Sequence, residues 1–555
     1  MKIFPRLPLA LVYLCFVAAI GISNSARAGN ATWDLNPGSG DWNTATNWTP
    51  ATVPNGAADI ATFGLSNTTN ISISADTEVN GISFTPAAAS NPYTITANPG
   101  VTLTFSGSGV TNNSGVTQNF GSFGTPTSGN VVFLNSSTAG TEISYSISGA
   151  VTFRDHSTAG SANIEGFDNT FMQFSDRSTA GSATISAGNF LQFSDRSTAA
   201  SASIEVQHSS SLAFSDRSTA GSASISMDSG SGTLFDGHSS AGSASIFGFD
   251  NTNTGFGDNS TAGSATIYGI MGIGFSGSSK GGTAQIVIFN AHGFEGFLDI
   301  SNHEAPGVTV GSIEGNGDVY LGANTLTVGS NNLSTTFGEI EGLDPGGVIS
   351  GAGSLTKIGS GTLALTSAST YTGETNIKAG VLQVDGSITS STIVHEHGTL
   401  SGTGTIHGSV TNNGTVSPGD APGTLTVNSY TQMKFATLLI DIAGSNTSQF
   451  SVLDVLGTAN LNGHLDPVLQ NGFVPTVGES FTFMDYESVL GAFSSIKNLN
   501  FNNNTEHWAI TYQPTFAVLT AEAGRANVPD QASTLLLMTL SLLGLVSLKA
   551  NLRRS

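Results

Sequence analysis

Acid–base pairs recur along this chain at a near-constant interval: Asp176-Arg177, Asp195-Arg196 and Asp216-Arg217. Carboxylates stacked at a regular spacing could gather a hard cation such as Ca2+, or share protons with a reacting group. A second set is His395-Glu396-His397, with His407 beyond it. Two histidines two residues apart on a strand share a face, so with His407 one rung later they could hold a metal. Each set also has a plainer reading. An Asp before Ser or Thr caps a turn through its own backbone, and a neighbouring row of Arg relieves repulsion between stacked acids. In later copies the Arg gives way to His238 and Asn259, as a solvent-facing turn allows. For the second set the plainer reading, exposed turn histidines, is preferred. No catalytic, cofactor-binding or metal residue is assigned. Phosphate-loop, HExxH, Ca2+-repeat and serine-nucleophile patterns do not occur, so the chain is expected not to be an enzyme.

These pairs are carried by a repeat. "FSDRSTAGSATI" at Phe174 returns in close variants at Phe193, Phe214, Phe235 and Phe256, and in looser ones at Phe133, Phe153 and Phe275. The steps between these Phe residues are 20, 21, 19, 21, 21, 21 and 19. A unit this short cannot bury a core alone and must stack on its neighbours, which is the mark of a solenoid. Phe and Ile separated by small, hydroxylated residues, with turn signals between, describe short strands joined by tight corners. Parallel stacking then sets Phe on Phe and Ile on Ile at roughly 4.8 Å per rung, so the eight copies rise about 35 to 40 Å. Some 500 residues wound this way would reach at most roughly 120 Å.

Of 555 residues, 69 are Gly and only 10% are charged, with a formal charge of −22. This composition suits an extended β architecture with polar ladders, and retains too much Phe, Ile, Leu and Val for wholesale disorder. The acidity argues against nucleic acid or anionic membranes as partners. Residues 1–28 carry Lys2 and Arg6, an apolar run and a small-residue site, the pattern of a secretory signal cut between Ala28 and Gly29. Cys15, the only cysteine, lies inside that segment, so the mature chain is expected to hold no thiol. Near the other end, residues 531–548 form an uncharged stretch followed by Lys549, Arg553 and Arg554, the pattern of a membrane helix with a cytoplasmic stop. Between these ends Lys plus Arg falls from 16 to 10 and Asp plus Glu from 38 to 37, so the exported part is more acidic still.

The tail resembles the VPD-type variant of the PEP-CTERM sorting signals. Val528, Pro529, Asp530, Ser533 and Thr534 carry the match, followed by the apolar run, Gly544 and the terminal Arg pair. That resemblance implies a Gram-negative envelope, processing by an exosortase-like enzyme, and a place at the cell surface or in extracellular matrix. Residues 351–388, "GAGSLTKIGSGTLALTSASTYTGETNIKAGVLQVDGSI", resemble the autotransporter-associated β-strand repeat. Leu355-Thr356-Lys357, Gly359, Gly361-Thr362-Leu363, Tyr371-Thr372-Gly373 and Ala379-Gly380 carry that match. Trp33, Trp42 and Trp48, with Pro54, Asp59 and Phe63, resemble the lead-in of the same surface proteins. Such a cluster either caps the open end of a solenoid or stacks on sugar rings, and the cap is preferred. The membrane β-barrel that ends a true autotransporter is not expected in residues 433–527, which lack its regular alternating strands.

The expected fold is therefore all-β: a right-handed parallel β-helix or solenoid with rungs of about 20 residues, then a small C-terminal β region and a single C-terminal transmembrane helix. The expected divisions are a signal peptide (1–28), an N-terminal β region or cap (29–130), the repeats (131–290), and solenoid with the autotransporter-associated repeat (291–432). A C-terminal β region (433–527) and a sorting signal (528–555) complete them. The expected role is an exported structural protein or adhesin of the cell surface, transiently anchored in the inner membrane, with exopolysaccharide or other surface glycans as partners. A polysaccharide-active β-helix enzyme and a glycan-binding module are the alternatives.

Overall fold

Segments such as Phe190–Phe193, "FLQF", turn every second side chain inward, and the period of two makes each a half-buried strand. In the computed structural model, which describes residues 29–121, 129–419 and 422–524, these strands pair in parallel with their copies. Phe174 lies opposite Phe153 and Phe193, and Phe193 opposite Phe214. A second strand per rung does the same: Ile185 lies between Ile164 and Ile204. Between the two runs a one-residue ladder, in which Thr158, Thr179, Thr198, Thr219, Ser240 and Thr261 pair in succession. No α-helix occurs among the described residues. The described residues are all-β, with a long, mostly parallel sheet arranged as in a β-solenoid.

Each letter of the repeat has a local cause. The Phe side chains form one buried column from Phe105 to Phe275, with ring centroids 4.5 to 5.0 Å apart and planes within 2 to 12°. Each stacked pair adds about 0.5–1.5 kcal/mol beyond its area burial. Alanines at 159 and 162, and their copies at 180 and 183, are fully buried in the same close-packed core. The Thr hydroxyl accepts the N–H two residues on, as Thr179 does from Gly181 at 3.0 Å, which closes the corner. Gly181 turns there with φ +62°, and a Cβ on it would stand 2.5 Å from the Gly160 carbonyl oxygen. In one copy Ala200 occupies this left-handed position, at φ 52°.

Parallel register continues outside the repeat, from Gly56–Phe63 to Ser480–Gly491. That makes roughly twenty rungs and a rod of about 90 Å, shorter than the sequence bound because rungs outside the repeat are longer. Each end is closed by antiparallel pairing. Ala31–Trp33 meets Trp48–Thr49 at one end. At the other, Ser480–Gly491 meets Phe516–Ala523, which pairs with Glu506–Tyr512 over buried Trp508. Such closure protects the sheet edges from pairing with other chains. Among the described residues no helix is long and apolar enough to cross a membrane. The expected membrane helix at 531–548, the sorting residues Val528, Pro529 and Asp530, and the signal segment ending at Ala28 lie outside the described residues.

Two substitutions probe this packing. Phe193→Ala should cost about 3–5 kcal/mol, read as lost amide hydrogen-exchange protection in its own and adjoining rungs. Ala200→Gly should stabilise by about 1 kcal/mol, because glycine enters the left-handed region without strain; the same exchange experiment would show the gain.

Candidate functional site

The Asp-Arg corner forms an open groove of about 610 Å3, lined by the four aspartates Asp155, Asp176, Asp195 and Asp216, by Arg177, Arg196 and Arg217, and by His156 and His238 at its ends. Conformation explains the acids first. Asp155, Asp176, Asp195 and Asp216 all have φ of 55 to 57°, while Asn135 and Gly237 hold the same place in flanking rungs. Asn, Asp and Gly are the residues that enter this region most readily. The aspartates do not cap their own turns, as the sequence suggests. Instead one oxygen of each accepts the backbone N–H of the equivalent residue one rung back: Asp176 from Asp155 at 3.2 Å, Asp195 from Asp176 at 3.1 Å, Asp216 from Asp195 at 3.3 Å.

The arginines are also placed by backbone. Arg177, Arg196 and Arg217 each donate their N–H to the carbonyl of the preceding rung's Asp at 2.8 Å, and their side chains are exposed. The expected neutralisation of stacked acids by stacked Arg does not take the form of ion pairs: among the described residues the sole ion pair within 4.0 Å is His507–Glu522. The groove thus presents a row of carboxylates beside a row of free guanidinium groups, both at rung spacing. At its far end Asp236 replaces Ser215, and burial, followed by Asp258 and Asp216, raises its carboxyl pKa. This is a periodic charged face.

The histidine set does not assemble. His395 bonds to the Asn376 side chain at 2.9 Å. A shift of register between Ile377 and Ala379 places His397 opposite Ala379, while His407 follows Ile406 on a different strand run, stacked on Ile388. Among the described residues no group of three His, Cys, Asp or Glu stands close enough to hold a metal. The tryptophans are equally unavailable to a sugar ring. Trp33, Trp42 and Trp48 are buried, packed edge to face at 4.9 Å, and their N–H groups donate to the Thr68, Pro54 and Trp42 carbonyls.

Sequence reading missed a buried cation. Lys357 is 1% exposed, and its ammonium donates to the carbonyls of Ile358, Gly359 and Ala379 at 2.7, 3.1 and 3.3 Å, tying one rung to the next without a counter-ion. Burial lowers its pKa to about 8. Around it Leu355, Leu363, Tyr371, Ile377 and Leu382 fill the core, and the Tyr371 hydroxyl meets that of Thr375 at 2.6 Å.

Residues 355–384 match the passenger-associated-transport-repeat family. The chain is also 50% identical over 80 residues to an extracellular serine protease of Serratia marcescens, covering 14% of this chain and 8% of that protein. It is 40% identical over 122 residues to the adhesin BmaC autotransporter of Brucella suis biovar 1 (strain 1330), covering 19% of this chain and 3% of that one. A second Serratia marcescens extracellular serine protease is 45% identical over 58 residues, 10% of this chain and 6% of that protein. The matches thus span less than a tenth of each relative's length. They correct one expectation: two of these partly matching relatives are named extracellular serine proteases, so the expectation of a non-enzyme does not stand.

Two results are expected here. Asp195→Asn keeps both the left-handed preference and the acceptor and should change stability by under about 0.5 kcal/mol, whereas Asp195→Ala should cost about 1–2 kcal/mol; denaturant titration separates them. For Lys357, the folded state carries the full penalty of a buried ammonium below about pH 8. Stability should therefore rise as pH climbs from there toward the ordinary lysine range, because the unfolded chain then binds more protons. Comparing urea midpoints at pH 7 and 9.5, this rise should be present in the native chain and missing in Lys357→Met.

Proposed function

We propose that this chain is an exported surface protein of a Gram-negative bacterium, a rigid acidic rod, wound right-handed, that extends from the cell or its matrix and makes adhesive contact along its length. The observation that carries this reading is parallel strand pairing that continues, through local shifts of register, over roughly twenty rungs, with a match to the passenger-associated-transport-repeat inside it. Such a rod sets distance and presents periodic faces, as display requires. The adhesin named among its relatives supports the contact role. The N-terminal segment supports export, and the Val528-Pro529-Asp530 tail, with its apolar run, supports sorting by an exosortase-like enzyme after a transient stay in the inner membrane. The proteases among its relatives favour a second reading, in which the rod accompanies proteolysis. Labelling of the purified chain by a fluorophosphonate probe would support that reading, and its failure would leave the adhesive one.

Fractionation of cells making the full chain and one lacking Val528 to Ser555, with mass analysis of each C-terminus, tests the placement. The full chain should reach the surface shortened near Pro529, and the truncated one should be lost to the medium or periplasm. An uncut chain held in the inner membrane would contradict the sorting step.

A further inference from the structure

The repeat changes character after Phe235. Along the outward column where Ser186, Glu205 and Ser226 stand, the next rungs carry Phe247 and Tyr268. Phe249 beside them is 50% exposed. The step from Phe275 to Ile300, the next position in its column, is 25 residues, against 19 to 21 before it. The extra residues form a tight hairpin at Ala291–Phe294, with His292 and Gly293 both at positive φ. Buried Asn290 and Asn316 hold the loop in place. Asn290 accepts from the Gly296 N–H and donates to the Pro345 carbonyl, and Asn316 donates to the Asn290 and Asp344 carbonyls. Asp344 also accepts the Gly293 N–H at 2.6 Å. Insertions into a repeat are where solenoids commonly carry binding surfaces.

Beside this loop lies a second groove of about 330 Å3, with Asn251 and Asn253 on one wall and Phe294, Glu295 and Phe297 on the other. Phe294 is 42% exposed although its loop is fixed. Column register puts Gly272 between Asn253 and Phe297. A Cβ there would meet the Asn253 amide oxygen at 2.5 Å and the Phe297 ring at 2.6 Å, so glycine lets amide and ring close on the same bare backbone. The volume is at the small end for ligand sites. Its chemistry is aromatic ring, two amides and one carboxylate, with no Lys or Arg in the lining.

We infer that this groove binds a neutral pyranose unit of a polysaccharide. Phe294 and Phe297 offer the apolar surface that the C–H face of a sugar ring packs against, and Asn251, Asn253 and Glu295 offer donors and acceptors for its hydroxyls. The single carboxylate, without a cation beside it, disfavours uronic acids, sulfates and phosphates. The inference deepens the adhesive reading and rests on it for its setting. Binding by the purified chain is independent of sorting, so the two can fail separately.

The test is affinity electrophoresis and calorimetry of the purified full chain against dextran, galactomannan, xyloglucan and cellohexaose, with polygalacturonate and heparin as anionic comparisons. At least one neutral glycan should bind, and Phe294→Ala and Asn253→Ala should each weaken it by tenfold or more at unchanged melting temperature. Arg196→Ala, in the other groove, should leave it unchanged. Failure of every neutral glycan, preference for the anionic polymers, or binding that survives both Phe294→Ala and Asn253→Ala would overturn the inference.

Discussion

Everything in this molecule depends on parallel stacking of each residue on its own equivalent one rung away. At that spacing a column tolerates only side chains that fit on themselves. Flat Phe rings do so with planes nearly parallel, and the buried alanines do so by being small. Charged residues do not stack on themselves without help. Here each aspartate turns one oxygen to a backbone N–H of the neighbouring rung, while the arginines reach into water, where their repulsion is screened.

The same constraint explains how much could be read from the sequence. The Phe and Ile columns, the small-residue corner and the all-β class follow from a period near twenty, because identical columns force near-identical text. The left-handed Asp column was visible as a repeated letter, but its cause was not. Own-turn capping and inter-rung bonding use the same residue, and only the N–H that the folded carboxylate meets separates them. Phe105 joins the Phe column without repeat text around it. Lys357 was noticed as a motif letter only, since nothing local says that its ammonium ends among carbonyls. His395, His397 and His407, weighed in the sequence as a metal set and not assigned as one, are kept apart because a shift of register breaks the alternation that would put them on one face.

Where the text stays regular, the surface is regular: rows of carboxylate, guanidinium and hydroxyl that a long partner could meet at many points. Where it breaks, near Asn251 and again at Asn290 to Gly296, the molecule departs from its own period and turns aromatic rings outward, fixing the departure with buried Asn amides. A stacked framework has little other room for an asymmetric site, since any change in one rung must be accommodated by both neighbours. The division between a repetitive shaft and one irregular face therefore follows from the folding constraint itself.

The most direct measurement of that constraint is a series of pulsed electron paramagnetic resonance distances between spin labels on the exposed corner. One label stays at His156, and the second moves through His238, Asn259 and Ser278, positions four, five and six rungs on. In-register stacking predicts distances near 19, 24 and 29 Å, rising by about 4.8 Å per rung. Distances that do not lengthen in even steps, or that scatter broadly at each pair, would contradict the stacked solenoid and with it the rod-like surface role.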